Sequence, residues 1–86
     1  MVYSAIYSKS ARKYLHSQTM FNAKRIMDAV DGLPKGDVKK LQGRSGYRLT
    51  VGSFRILFDY VDSFKDGEQQ VIDVFLIGPR GDVYKK

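Results

Sequence analysis

Eighty-six residues, 9.8 kDa in all, provide enough chain for one hydrophobic core and not for two, so a single domain over residues 1–86 is expected. A hydrophobic content of 43% sets the sequence apart from disordered chains, and the absence of cysteine, with a single histidine, excludes disulfide frameworks, thiolate chemistry and Cys- or His-built metal clusters. Fifteen lysines and arginines against nine acids leave a net charge of +6, which points to a polyanion or an acidic protein as partner.

The opening MVYSAIYSKSARKYLH has polar and basic residues where a signal peptide needs its apolar run, and no stretch approaches the roughly 20 apolar residues of a membrane span. A soluble cytoplasmic protein without a membrane partner is the expectation. Val2–Tyr7 is β-branched and aromatic and reads as a short strand. Ser8 then offers an N-cap to a short helix that gathers Ala11, Tyr14 and Leu15 on one face. A second helix starts at Met20, with Met20, Ala23, Ile26, Met27, Val30 and Leu33 at spacings of three and four, and Gly32 and Pro34 as stop signals. Lys35–Gly46 is polar, basic and glycine-rich, and predicts an irregular connection anchored by Val38 and Leu41.

The remainder reads as β. Tyr47, Leu49 and Val51 alternate with Arg48 and Thr50; Gly52-Ser53 is a hairpin signal; Phe54, Ile56, Phe58 and Tyr60 then alternate with Arg55, Leu57 and Asp59. Asp62–Gln69 predicts a longer turn, and Val71–Ile77 is apolar on nearly every position, as a central strand covered on both faces would be. Gly78-Pro79 breaks that run, and Val83-Tyr84 closes as a short strand or tail. The predicted fold is α+β, with two N-terminal helices packed on one face of a mostly antiparallel sheet of four to five strands.

Charge is segregated along the second half. Arg44–Phe58 carries three arginines and no acid, whereas Asp59, Asp62, Asp66, Glu68 and Asp73 follow with only Lys65 among them. Strand alternation puts Arg48, Thr50 and Arg55, and by extension Arg80, on the face away from the helices. Two readings stand for this group: a phosphodiester site, because the guanidinium fork gives two parallel charge-assisted hydrogen bonds, or ordinary solvent-facing residues of a sheet.

YRLTVGSFRILFDY, followed by VFLIGPRGDVY, resembles the RelE/ParE superfamily of bacterial and archaeal type II toxins, and the order of elements carries the resemblance over essentially the whole chain. On its RelE-like branch the resemblance implies a metal-independent mRNA endoribonuclease acting in the ribosomal A site without a cofactor. Its implied partners are the ribosome, mRNA and a neutralising cognate antitoxin. It assigns Arg55 to the scissile phosphate, Arg80 to the leaving group and Tyr84 to the 2′-hydroxyl. Arg48 and Thr50 stand where RelE toxins place lysines, and Pro79 and Gly81 flank Arg80 where relatives carry a basic run. A ParE-like toxin acting on gyrase through protein contacts, or a decayed toxin that only binds its antitoxin, are the alternatives.

Lys35, Lys39, Lys40 and Arg44 form a basic run that either grips ribosomal RNA through phosphate contacts or is a solvated loop. Tyr47, Tyr60 and Phe64 are expected in the core rather than stacked on bases. His16, beside Leu15 on the short helix, is expected at the surface and off the arginine face.

Overall fold

Serine and threonine caps start both helices of the computed structural model, which describes residues 2–33, 35–61 and 69–79. Strand β1 (Val2–Tyr7) leads into helix α1 (Lys9–His16), where Ser8 Oγ accepts a hydrogen bond from the Ala11 amide at 3.1 Å. Helix α2 (Met20–Asp31) begins the same way, with Thr19 Oγ1 accepting from the Asn22 amide at 3.1 Å. Each cap satisfies an amide that a first helical turn leaves without a carbonyl partner, a contribution of about 1 kcal/mol.

Both helices pack on one face of a five-stranded sheet of order β1-β5-β4-β3-β2. The other strands are β2 (Asp37–Lys40), β3 (Tyr47–Val51), β4 (Phe54–Val61) and β5 (Gln69–Pro79). All pairings are antiparallel except that of β1 with β5, which runs parallel from Val2 opposite Gln69 to Tyr7 opposite Val74. The result is the expected α+β arrangement. Its hairpin turn holds Gly52 at φ +56, the left-handed backbone that a glycine-first two-residue loop requires.

In three places the structure departs from the expectation. Asp37–Lys40 is an edge strand and not part of an irregular connection: Val38 alone packs on the core, and an edge strand tolerates flanking charges because one of its sides faces water. β5 runs through Gly78 to Pro79 instead of stopping at Ile77. Past Val74 it has no β1 neighbour, so a proline without an N–H fits at its end. Finally, the apolar stripe of α2 is narrower than its periodicity suggests. Ile26 and Val30 are fully buried, but Met20 and Met27 are 89% and 44% exposed. Met27 lies about 100° round the helix from Ile26, off the line along which α2 meets the sheet.

The core lies between helices and sheet. Ala11, Ile26, Val30 and Leu33 meet Leu49, Phe54, Ile56, Phe58, Ile72, Val74 and Ile77. Phe58 is its aromatic centre, with the Tyr47 ring stacked at 5.7 Å and the Tyr60 ring edge-on at 5.4 Å, so both tyrosines serve packing. Tyr7 packs beside this core, and burial, followed by the nearby Asp31 carboxylate, raises its hydroxyl from 10.0 to about 12.

Candidate functional site

The sheet face opposite the helices is set by strand parity and register. One row across it runs Lys39, Arg48, Leu57 and Leu76; the next, toward the hairpin, runs Asp37, Thr50, Arg55 and Gly78. Residues directly opposite share a face, so both rows stand on the side that the helices leave open. Leu57 is nevertheless buried, at 3% exposure, with Arg48 and Leu76 beside it. Arg48 and Arg55 are half-buried, and Arg48 Nε and Arg55 Nε and Nη1 are shielded from solvent. Their stems lie along the sheet as long cationic side chains do over apolar ground.

Sequence alternation thus places Arg48, Thr50 and Arg55 together, and the structure adds Lys39 to them through a pairing that reading the segment as a loop conceals. Lys40 points the other way in the register, opposite Tyr47, and is exposed at the sheet edge. Arg44 is exposed in the β2–β3 connection, its guanidinium carbon 5.1 Å from the centroid of the Phe75 ring. Arg80, Tyr84 and Phe64 lie outside the described residues. β5 carries the chain to Pro79 beside Phe54, one residue short of Arg80. His16 is exposed at the end of α1, away from the arginine face.

Two features escape a reading by periodicity. Asp37–Lys40 has a single apolar residue, Val38, so its alternation is too short to register as a strand. The β4–β5 ladder steps from Leu57 opposite Leu76 to Phe58 opposite Val74, leaving Phe75 as an extra residue in a bulge. A uniformly apolar VIDVFLI run carries no mark of that step. Among the described residues no group of three or more His, Cys, Asp or Glu residues is arranged to hold a metal ion.

A site of this kind can hold an anion. Lys39 and Arg48 stand in directly opposite positions, so their two cationic groups reach the same stretch of this face. Arg55 is the diagonal neighbour of Arg48, and diagonal positions in an antiparallel ladder stand about 7–8 Å apart, near enough for two guanidinium forks to share one phosphodiester.

No protein-family model matches the chain. No curated protein matches it either. Among solved structures, a chain of the toxin–antitoxin complex RelBE2 from Mycobacterium tuberculosis is similar with a TM-score of 0.73. The match covers 93% of this chain and 100% of that one at 15% sequence identity. At that identity the likeness speaks for architecture, and with the element order and pairing given above it establishes that this chain has the RelE-like fold.

Proposed function

We propose that this chain is the toxin of a type II toxin–antitoxin pair, a cytoplasmic, ribosome-dependent endoribonuclease that cuts mRNA in the ribosomal A site. The observation that carries the reading is the meeting of Lys39, Arg48 and Arg55 on the helix-free face of a RelE-like fold. In this reading the 2′-hydroxyl oxygen attacks the adjacent phosphorus and the bond from phosphorus to the 5′-oxygen breaks. The hydroxyl loses its proton, the departing oxygen gains one, and the products end in a 2′,3′-cyclic phosphate and a 5′-hydroxyl.

Arginine keeps its charge at any working pH, so it is a poor proton shuttle and a good electrostatic clamp. Arg48 and Arg55, with Lys39 beside them, meet the charge that develops on the pentacoordinate phosphorus. By resemblance, Arg80 serves the leaving oxygen and Tyr84 orients the 2′-hydroxyl. Alignment of that hydroxyl with the departing oxygen contributes up to roughly 7–11 kcal/mol in ideal cases, more than an open sheet face imposes by itself. The ribosome supplies the bend in the mRNA, and the toxin supplies the cations.

The proposed antitoxin is an acidic, amphipathic segment that wraps the domain. Met20, Phe21 and Met27 on α2, exposed by 89%, 73% and 44%, offer it apolar anchors, and the arginine face attracts its carboxylates.

Induction in cells followed by mapping of RNA ends, for wild type and Arg55→Ala, tests the reading. Codon-phased cuts with 5′-hydroxyl ends, lost in the variant, are expected. Gyrase-linked DNA breaks, or intact RNA in cells whose growth has stopped, would overturn it. Purified protein should cut ribosome-bound mRNA and spare the same message in free solution.

A further inference from the structure

We propose that Phe75 and Arg44 form a stacking platform that seats one nucleobase of the bound mRNA beside the cationic rows. The inference rests on the ribonuclease reading above and assigns a role to a residue pair that reading does not use.

The bulge sets Phe75 outside the core between helices and sheet. Phe75 has no partner residue on β4, so its carbonyl needs another donor, and the start of α1 provides one. Ser8 Oγ donates to Phe75 O at 3.1 Å and Ser10 Oγ lies 3.5 Å from it, while the Ser8 amide donates to Val74 O at 2.9 Å. A bulge fixed in this way re-aims a side chain. The ring extends across β4 toward the start of β3. A Cβ on Gly46 would lie 3.4 Å from Phe75 Cζ and 3.2 Å from both Leu41 Cδ1 and Phe58 O. Gly46 is itself at φ +117, so a glycine at this position supplies both the backbone and the room for the ring.

Phe75 is half-buried and belongs to neither the core nor the residues packed against it. It is next to Leu76, in the row of Lys39 and Arg48, and the exposed Arg44 lies over its face. An aromatic ring with a guanidinium over it is how proteins hold unstacked single-stranded bases; the cationic rows lie on its hairpin side and the Asp59–Asp73 pair on the other, which leaves the phosphates to the hairpin side. A protein segment is disfavoured here because Arg44 on the ring asks for a flat, electron-rich partner or an anion, not an apolar side chain.

Single-turnover cleavage on ribosomes programmed with messages that carry one abasic nucleotide, moved along the A-site codon and its neighbours, tests the pairing. Wild type should lose about ten-fold in rate at one position, the size expected for one stacked base. Phe75→Leu and Arg44→Ala should each be slower on the intact message and show no further loss at that position. Equal abasic losses in wild type and both variants would overturn the platform while leaving the ribonuclease reading intact. Wild type that cuts none of the messages would sink both. Arg44 is exposed, so its replacement separates stacking from folding, and thermal melting of Phe75→Leu checks that variant's fold. A competing antitoxin peptide whose affinity falls in both variants, with cleavage unchanged, would assign the pair to protein binding and overturn the proposal.

Discussion

Lys39 on β2 and Arg48 on β3 face each other directly across the sheet, two cations in register on the side that no helix covers. A phosphate that reaches this face meets both of them. Lys39 is exposed, so Lys39→Gln should leave the melting temperature little changed while weakening ribosome association. Paired thermal melts and sedimentation binding measure the two effects. A loss of stability without a loss of binding would show that Lys39 serves the fold.

Arg55 stands across β4 and β5 from Gly78, which brings no side chain to that row. Arg55→Ala should cut single-turnover cleavage by on the order of 10²–10³, as removal of one transition-state donor does. Arg55→Lys, which keeps the charge and loses the fork, should recover only part of the rate.

Lys35 and Lys40 are exposed and outside the Arg48–Arg55 rows, so the phosphates they meet would belong to ribosomal or messenger backbone. Neutralising both should lower the slope of log affinity against log salt by roughly 0.7–0.9 for each phosphate that no longer meets a cation. An unchanged slope in the double variant would place both lysines in solvent.

At Gly46 an added side chain would meet backbone as well as side-chain atoms. At φ +117, with Phe58 O and Leu41 Cδ1 both 3.2 Å from a Cβ, Gly46→Ala should destabilise the fold by about 1–3 kcal/mol. Denaturant titration reads the loss. Gly43, also at positive φ but with open space around it, provides the control, and Gly43→Ala should lose less.

Tyr7 gives the fold an alkaline limit. Its hydroxyl titrates near 10.0 in the unfolded chain and near 12 in the folded one, so the folded state holds the proton more tightly. This contribution to stability is fully present below pH 10.0 and is lost as the pH rises through about 12. Tyr7→Phe should flatten the fall of the melting temperature over that range relative to wild type. Parallel curves for the two proteins would show that Asp31 and burial do not act on this hydroxyl.

Much of this architecture is written in short-range patterns. Ser8 ahead of a helical spacing, Gly32 after another, and the alternation on either side of Gly52-Ser53 each act through neighbouring residues, and each element formed where its pattern placed it. What the sequence hides is decided by distant partners. Asp37–Lys40 becomes a strand because β3 offers it a ladder, and Met20 and Met27 are exposed because the sheet reaches only part of α2. The bulge at Phe75 arises from the meeting of two strands and the serines of α1, none of which is encoded in the VIDVFLI run itself. Of the candidate site, Arg48, Thr50 and Arg55 follow from parity alone, whereas Lys39 joins them through a pairing visible only in three dimensions.

The parallel pairing of Val2–Tyr7 with Gln69–Val74 also has a bearing on synthesis. A nascent chain makes its first strand long before the neighbour that holds it, and that neighbour joins the opening segment to the hairpin sheet. Until the ribosome has released that late segment, Val2–Tyr7 has nothing to zip onto and the cationic rows lack their Leu76 and Gly78 border. The strand that completes the cationic face is thus the same one that fixes the opening segment in the sheet.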